Sequence, residues 1–449
     1  MVRVARALFP GLPPRPSQIS PFGLQVDMRR GDRVMDDDCT IFVRNQEDGV
    51  VPASGVVVIA DDTDGVQFTQ AEQGGAGELY YSSDEFGQPE GVIVTPQVPG
   101  YWVTHAEDAC DGSTVICPEI DRPGEAGWWH RLLEDHAVDP QRGAGIRIGI
   151  VDSGFAPQAG LEHVRFLSRP GERHDEQPRG PFWRHGEVVC RVIGDRAAPA
   201  CCAPIAPGAD LLFASASFTR RTLRHKRFLF PAALEPCELD LDPTHVADAV
   251  SRMVLEERVH LINLSLGTFD ELPDETGLAE AIELAWSEGV LVVCAAGNEP
   301  YDRAAFPAVR DDCVGVGAIG RRGWGPPEGL GRFSEALSEE DGEVHGEAIF
   351  YSPLSAYGDG VDVVGPGVSI LVAREGRPAF DVTGTSFAAP IVTGLLAVDL
   401  AGDEAYLAMP ADARRAAHAR QRLADLCIRT GVDEEWEGHG LPWLCDTRP

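Results

Sequence analysis

Length and charge limit the classes of protein to which this chain can belong. It has 449 residues and a formal net charge of -33 at pH 7, so we expect one large α/β domain with a smaller module. The acidic balance excludes nucleic acid and anionic membranes as expected partners, because both would be repelled. No stretch approaches the roughly 20 apolar residues of a membrane-spanning helix, and prolines interrupt the N-terminal "MVRVARALFPGLPPRPSQ". We therefore expect a soluble, cytoplasmic protein, and secretion only if a longer chain carries a signal.

Neither the cysteines nor the acidic clusters indicate a metal site or a disulfide framework. The 11 cysteines are an odd number without a paired CxxC motif, so we expect mostly reduced thiols. Cys110 with Cys117, and Cys427 with Cys445, are the two candidate bridges. Acidic clusters such as "MDDDC" and "DDTDG" lack the full spacing of a calcium loop. No cofactor is expected to be required, and structural calcium cannot be assigned to particular residues.

The N-terminal part has the pattern of an all-β domain. From about Ser20 to Ala106, short β-rich runs alternate with turn residues and show no helical periodicity. In chain order the runs are "CTIFVR", "GVVVIA", "GVQFTQ", "GELYYS", "GVIVTP" and "YWVTHA". They predict a small, antiparallel, sandwich-like β domain over residues 1–122.

Beyond about Pro123, apolar strands alternate with amphipathic helices. In chain order we predict a strand at 146–151, helices at 188–193 and 246–254, a strand at 261–266, a helix at 277–288 and a strand at 290–296. This order predicts an α/β domain over residues 123–449, with a parallel sheet covered by helices on both faces. Reactive groups collect at the carboxyl ends of the strands in such a sheet.

Four polar residues stand where an α/β fold concentrates its chemistry. Asp152 ends the first strand and His185 begins a helix, whereas Asn298 follows a buried strand and Ser386 begins the apolar helix "FAAPIVTGLLAVDLA". Singly, such residues are typical of caps, turns and structural histidines. Together they supply an orienting carboxylate, a base, a nucleophile beside unpaired helix N–H groups, and an amide donor. Pro390 is predicted to fall in the first turn of the helix, where its missing N–H removes no hydrogen bond.

Five motifs carry a resemblance to a known family. "IVDSG", "RHG", "INLSLG", "AAGN" and "GTSFAAP" occur in that order, and the chain resembles the subtilisin-like serine proteases, the subtilases. The resemblance covers roughly residues 125 to 449. It implies a serine endopeptidase in which Asp152 orients His185, and His185 takes the proton of Ser386. It further implies that Asn298 and the backbone N–H of Ser386 hold the oxyanion.

The resemblance also assigns substrate-binding segments. One is implied to pair with an extended peptide as an added strand, and the other to line the primary specificity pocket. The residues are Ser265, Leu266 and Gly267 for the first, and Ala295, Ala296 and Gly297 for the second. The expected partner is therefore a protein or peptide substrate, joined by a regulatory partner if activity is controlled.

One departure from the family pattern lies beside the implied base. The family usually follows its histidine with Gly-Thr-His-Val, whereas this chain has Gly186, Glu187, Val188 and Val189. A carboxylate near the imidazole is expected to raise the pKa of His185.

Two other functions compete with a restricted or regulated endopeptidase. A subtilase-fold peptide ligase or macrocyclase would shield its acyl-enzyme from water, and residues 215 to 245 are the candidate shield. A non-catalytic binding protein of the same fold would be expected to lack a catalytic position, and here all four are filled. The N-terminal domain lacks the helices of the usual propeptide, so it is a recruiting module, a folding assistant removed at about residues 107 to 128, or a permanent lid.

Overall fold

The computed structural model describes twelve ranges of the chain. They are residues 39–60, 66–73, 77–81, 89–107, 109–121, 127–133, 139–155, 159–167, 185–219, 239–269, 277–340 and 348–445. Within them the predicted α/β class with an N-terminal β region is confirmed. The acidic side chains of the clusters "MDDDC" and "DDTDG", and most of the segment 215 to 245, lie outside the described residues.

Seven strands form the N-terminal region. They are β1 Cys39–Arg44, β2 Ala53–Ala60, β3 Val66–Gln73, β4 Glu78–Tyr81, β5 Pro89–Pro96, β6 Thr104–Glu107 and β7 Thr114–Ile116. Hydrogen bonds join them into one sheet in the order β6-β5-β2-β3-β4-β1-β7. The β1/β7 pair is parallel, so the sheet is not wholly antiparallel as the sequence predicted. In β1 the alternating side chains of Cys39, Ile41 and Val43 are buried, as the period of a strand requires.

The second region contains fourteen strands among the described residues. They are β8 Arg147–Asp152, β9 Arg165–Phe166, β10 Asp210–Ser215, β11 Ser217–Thr219, β12 Leu239–Leu241, β13 Leu261–Leu264, β14 Leu291–Ala295, β15 Cys313–Arg321, β16 Ile349–Tyr351, β17 Val363–Pro366, β18 Ile370–Val372, β19 Phe380–Val382, β20 Cys427–Ile428 and β21 Leu441–Pro442. Eight of them form the central sheet, in the order β16-β15-β14-β13-β8-β10-β9 with β17 beside β15. Its pairs are parallel except β15/β16.

The α-helices of the described residues cover both faces of this sheet. They are α1 His185–Gly194, α2 Pro243–Leu255, α3 Leu278–Ser287, α4 Leu330–Glu340, α5 Thr385–Ala401, α6 Glu404–Leu407, α7 Ala413–Leu426 and α8 Glu434–Glu437. Side chains of α1, α5 and α7 share one buried cluster with Ile148 and Ile150 of β8. Side chains of α2 and α3 share the other with Val151. The alternation along β8 thus divides the core into two layers, as expected for a parallel sheet between helices.

The strand order reverses at β8, and this switch point marks where the site is expected. From β8 the chain passes through α1 to β10 on one side, and then through α2 to β13 on the other side. In open α/β sheets the crevice at such a switch point is where ligands bind, at the carboxyl ends of the strands. Asp152 is the last residue of β8, and Ser265 and Ala296 directly follow β13 and β14.

The N-terminal sheet is joined to the second region next to β19. The backbone N–H of Gly100 donates to the carbonyl of Ala379 at 2.7 Å, and the N–H of Val103 donates to the carboxylate of Asp381 at 2.7 Å. The ring of Trp102 packs edge-on against Trp324, with 6.2 Å between ring centroids. The two regions therefore share backbone hydrogen bonds as well as a buried aromatic contact.

Across the described part of the chain the cysteines are reduced thiols rather than disulfides. Neither Cys110–Cys117 nor Cys427–Cys445 is bridged, because the thiols of Cys110 and Cys445 contact Ser113 and the carbonyl of Arg131 instead. No helix in the same residues is both long and apolar enough to cross a membrane.

Candidate active site

Asp152 and His185 form a buried hydrogen-bonded pair. Asp152 ends β8 and His185 begins α1, and their exposed fractions are 1% and 5%. Nδ1 of His185 lies 2.8 Å from Oδ1 and 3.0 Å from Oδ2 of Asp152. The N–H of Ser153 also donates to Oδ1, at 2.6 Å, so the buried carboxylate is well supplied with donors. Because a carboxylate only accepts, Nδ1 carries the proton, and the lone pair of the neutral ring is on Nε2.

Ser386 lies at the start of α5, beside the helix that carries His185. The ring of the next residue, Phe387, lies 5.5 Å from the imidazole of His185, measured between ring centroids. The hydroxyl of Ser386 donates to the carbonyl of Ser265 at 3.3 Å. Ser386 is the second residue of its helix, where backbone N–H groups have no acceptor within the helix. Its hydroxyl therefore lies beside donors that favour negative charge.

Pro390 lies in the interior of α5, contrary to the prediction that it falls in the first turn. The helix begins at Thr385, so a residue at position 390 would normally donate its N–H to the carbonyl of Ser386. Proline has no N–H, and the hydroxyl of Ser265 donates to that carbonyl instead, at 2.8 Å. Nδ2 of Asn263 in turn donates to the hydroxyl oxygen of Ser265 at 2.9 Å. This buried network ties β13 to the beginning of α5.

Asn298 is held at the start of α5 by its side-chain oxygen. Its Oδ1 accepts the backbone N–H and the hydroxyl of Thr385, at 2.7 and 2.9 Å. A Cβ added at Gly384 would lie 3.1 Å from Nδ2 of Asn298. Gly384 has a φ of 149°, which favours glycine, and its lack of a side chain lets the amide approach the backbone. The side-chain amide of Asn298 thus lies against the turn just before Ser386.

The two segments assigned to substrate binding lie side by side, and other side chains fill the space between them. Ser265 to Gly267 follow β13, and Ala295 to Gly297 end and follow β14. A Cβ added at Gly267 would lie 3.0 Å from Cβ of Ala305, and one added at Gly297 would lie 3.3 Å from the same atom. The Cζ atom of Phe269 would lie 2.7 Å from a Cβ on Gly297. The gap between the segments is therefore narrow.

Comparison with known protein families agrees with this arrangement of motifs. A family model described as "Peptidase_S8: Subtilase family" matches residues 143–417, which is more than half of the chain. The chain belongs to the subtilase family. The match includes each of the residues from Asp152 to Ser386 described above.

Curated relatives of this subtilase match part of their length. The "Major intracellular serine protease" of Bacillus subtilis (strain 168) is 32% identical over 149 residues, 32% of this chain and 38% of that protein. The "Intracellular serine protease" of Paenibacillus polymyxa is 30% identical over 206 residues, 42% of this chain and 50% of that protein. The chain thus spans at most half the length of these two relatives. Among solved structures, that of the patellamide maturation protease PatA aligns with a TM-score of 0.45 at 22% identity, over 67% of this chain and 94% of that one.

Glu187 of this subtilase pairs with two arginines. The carboxylate is 2% exposed and accepts Nε of Arg191 at 3.0 Å. It also accepts Nε and Nη2 of Arg374 at 2.8 and 2.9 Å. Two guanidinium groups therefore compensate the charge of Glu187, and its expected influence on His185 stays a prediction.

Sequence reasoning missed three contributors to the site. Thr385 orients Asn298, Arg374 pairs with Glu187, and Ala305 lies between the substrate segments. Thr385 had a usable signal, since it directly precedes Ser386 within a recognised motif. The other two act through contacts between distant parts of the chain. Among the described residues, no group of three or more His, Cys, Asp or Glu side chains is arranged to hold a metal ion.

Proposed function

We propose that this subtilase is a serine endopeptidase with Asp152, His185 and Ser386 as its catalytic triad. The observation that carries the proposal is the buried hydrogen bond between Asp152 and Nδ1 of His185, next to a serine at the N-terminus of α5. A carboxylate on Nδ1 fixes the tautomer in which Nε2 acts as the base. Singly each residue has ordinary structural explanations, but the three together at the ends of β8, α1 and α5 do not.

In the proposed reaction, Ser386 Oγ attacks the carbonyl carbon of the scissile peptide bond while Nε2 of His185 takes the hydroxyl proton. The carbonyl oxygen becomes an oxyanion, which accepts hydrogen bonds from Nδ2 of Asn298 and the backbone N–H of Ser386. The C–N bond then breaks as His185 delivers the proton to the leaving amine, which gives an acyl-enzyme. Water, deprotonated by His185, attacks the ester, and the proton returns to Ser386.

The proposed substrate is an extended peptide with a small side chain at the residue whose carbonyl is attacked. Ser265 to Gly267 would pair with its backbone as an added strand, and Ala295 to Gly297 would line the pocket for that side chain. The methyl group of Ala305 and the ring of Phe269 narrow the space between these segments. A pocket so filled favours alanine-sized groups over aromatic ones, since overpacking costs about 1–3 kcal/mol.

The N-terminal region is proposed to be a permanent part of the enzyme, as a domain over residues 1–122 joined to a catalytic domain over residues 123–449. Gly100 donates a hydrogen bond to Ala379, which directly precedes β19, and Val103 donates one to Asp381 within β19. Both acceptors lie a few residues before Ser386. Removal at about residues 107 to 128 would break these contacts and take Trp102 out of the buried cluster that it shares with Trp128. This favours a fixed module over a removable folding assistant.

Activity inside the cell is proposed as well. Two features support it: the reduced cysteines of the described residues and the two relatives named as intracellular proteases. A protease that is active inside the cell has to cleave a limited set of substrates, and the narrow pocket would provide this limit. Hydrolysis is proposed in preference to peptide ligation because both of these relatives are named as proteases.

The test is intact-protein mass spectrometry with a fluorophosphonate probe. Wild type and Ser386→Ala are incubated with the probe under the same conditions. The proposal expects one probe mass on wild type and none on Ser386→Ala, with His185→Ala labelled far more slowly. An unlabelled wild type, which nevertheless gives a cooperative unfolding transition, overturns the proposal and favours a binding protein of subtilase fold.

A further inference from the structure

Glu187 occupies a position from which it can influence the site without touching substrate. It lies two residues after His185 on α1, and its side chain is 2% exposed. Arg374 binds it in a bidentate manner, with Nε 2.8 Å from Oε1 and Nη2 2.9 Å from Oε2. Such a fork fixes the relative orientation of two groups as well as their distance.

The pair belongs to a compensated, buried network. Arg191 donates to Glu187 at 3.0 Å and to Asp195 one turn further along α1. Arg191 and Asp195 are 2% and 1% exposed. Two carboxylates therefore meet two guanidinium groups, and a network of this kind is costly to break from one side. Arg374, with a side chain 25% exposed, is the member nearest to solvent.

Arg374 joins this network to the segment that leads to the nucleophile. It follows β18 in a hairpin whose strands pair Ile370 with Val382 and Val372 with Phe380. Four residues beyond Val382 the chain reaches Ser386. The hydroxyl of Thr383 accepts the N–H of Ser369 at 2.9 Å, which continues the pairing almost to the start of α5. Movement at Arg374 would thus be transmitted along a short, paired segment.

We propose that Glu187 and Arg374 are positioning residues, whose ion pair fixes the helix carrying His185 against the hairpin that leads to Ser386. The inference rests on the proposed function, since it concerns the distance between its base and its nucleophile. The physical reason is the steep dependence of proton transfer and attack on geometry. A displacement of about 1 Å at reacting atoms lowers a rate by about 10²-fold.

The test compares three variants at a temperature well below each melting transition. Arg374→Gln removes the fork but leaves Glu187 paired with Arg191. Arg374→Lys keeps the charge and loses the bidentate geometry. Arg377→Gln is the matched control, because Arg377 is an exposed arginine of the same hairpin turn. The measurements are the maximal rate of fluorophosphonate labelling, the probe concentration at half that rate, and kcat and KM on an alanine-rich peptide.

We expect Arg374→Gln to lower the maximal labelling rate and kcat by about 10- to 100-fold. The half-saturating probe concentration and KM should stay within about twofold. Arg374→Lys should fall between Arg374→Gln and wild type, and Arg377→Gln should match wild type. The apparent pKa of the rate should be the same in all proteins, because positioning changes geometry and not the proton affinity of the base.

Three outcomes would overturn the inference. A lower melting temperature with wild-type rates would make the pair a stabilising contact only. A raised KM with unchanged kcat would make Arg374 a substrate contact. A shifted apparent pKa would make the pair an electrostatic modifier of His185. Failure of the proposed function is distinguishable, because wild type would then not be labelled at all, and the inference would fall with it.

Discussion

The side-chain oxygen of Asn298 accepts both the backbone N–H and the hydroxyl of Thr385, at 2.7 and 2.9 Å. The same hydroxyl accepts the N–H of Gly297 at 3.2 Å. With its oxygen held in this way, the amide of Asn298 has a fixed orientation, and Nδ2 is the donor that the proposed function assigns to the oxyanion. Thr385 therefore fixes the orientation of the Asn298 amide.

Asn298→Ala should lower kcat by about 10²–10³-fold with little change in KM, because the lost donor acts on charge that develops in the transition state. Thr385→Val should cause a smaller loss, about tenfold, because the amide keeps the backbone N–H donor of residue 385 but loses the hydroxyl that also orients it. The measurement is steady-state hydrolysis of a peptide substrate. Thr385→Ser keeps the hydroxyl and serves as the control. Equal rates for Thr385→Val and Thr385→Ser would contradict the orienting role.

The narrow gap between the substrate segments gives a second prediction. Ala305→Gly removes the methyl group that lies between Gly267 and Gly297. We expect it to raise kcat/KM for substrates with a leucine-sized residue at the cleavage site by about 10- to 200-fold relative to alanine substrates, the range for one methylene group in a pocket. A peptide series that varies this residue alone measures the ratio. An unchanged ratio would place the pocket elsewhere.

Phe269→Ala tests the other side of the same gap. The ring of Phe269 packs edge-on against Tyr301, with 4.5 Å between centroids. Its removal should admit aromatic side chains that Ala305→Gly alone does not admit. Tyr301→Phe is the control, because it keeps the ring contact and removes only a hydroxyl. If Phe269→Ala and Tyr301→Phe broaden selectivity equally, the ring of Phe269 does not limit the pocket.

The buried carboxyl group of Asp381 gives a prediction about how the stability of the fold depends on pH. It accepts hydrogen bonds from the N–H of Val103 and the hydroxyl of Ser369, but burial dominates and raises its pKa from 3.8 to about 7. The folded protein therefore binds this proton more tightly than the unfolded chain. Its contribution to stability is fully present below about pH 4 and is lost as the pH rises through about 7.

Asp381→Asn should remove this dependence. Near pH 4 the variant and wild type should have similar free energies of unfolding. Near pH 8 the variant should be more stable by up to about 4 kcal/mol, since wild type then buries a charge. Urea unfolding at several pH values measures the difference. A difference that does not change with pH would show that Asp381 keeps an ordinary proton affinity.

Much of the architecture was predictable because it depends on local pattern. The runs at 146–151 and 290–296 became β8 and β14, and the helix predicted at 246–254 became α2. The placement of Asp152 at the end of β8 was also predictable, since its motif is contiguous in sequence. The pairing of Glu187 with Arg374 was not predictable, because the two are 187 residues apart and no periodicity relates them. The parallel β1/β7 pair was missed for the same reason.

The Ser265 hydroxyl gives the last prediction, through the carbonyl that Pro390 leaves without a helical donor. Ser265→Ala should destabilise the fold by about 1–3 kcal/mol, because the buried carbonyl of Ser386 then loses its hydrogen bond. Pro390→Ala restores an N–H at the position that donates to this carbonyl in a regular helix. The double variant should therefore recover the part of the lost stability that comes from the Ser386 carbonyl, although Nδ2 of Asn263 still lacks its acceptor, whereas independent effects would add. Thermal or urea unfolding of all four proteins measures the coupling, and a coupling energy near zero would mean that the hydroxyl of Ser265 does not replace the missing donor.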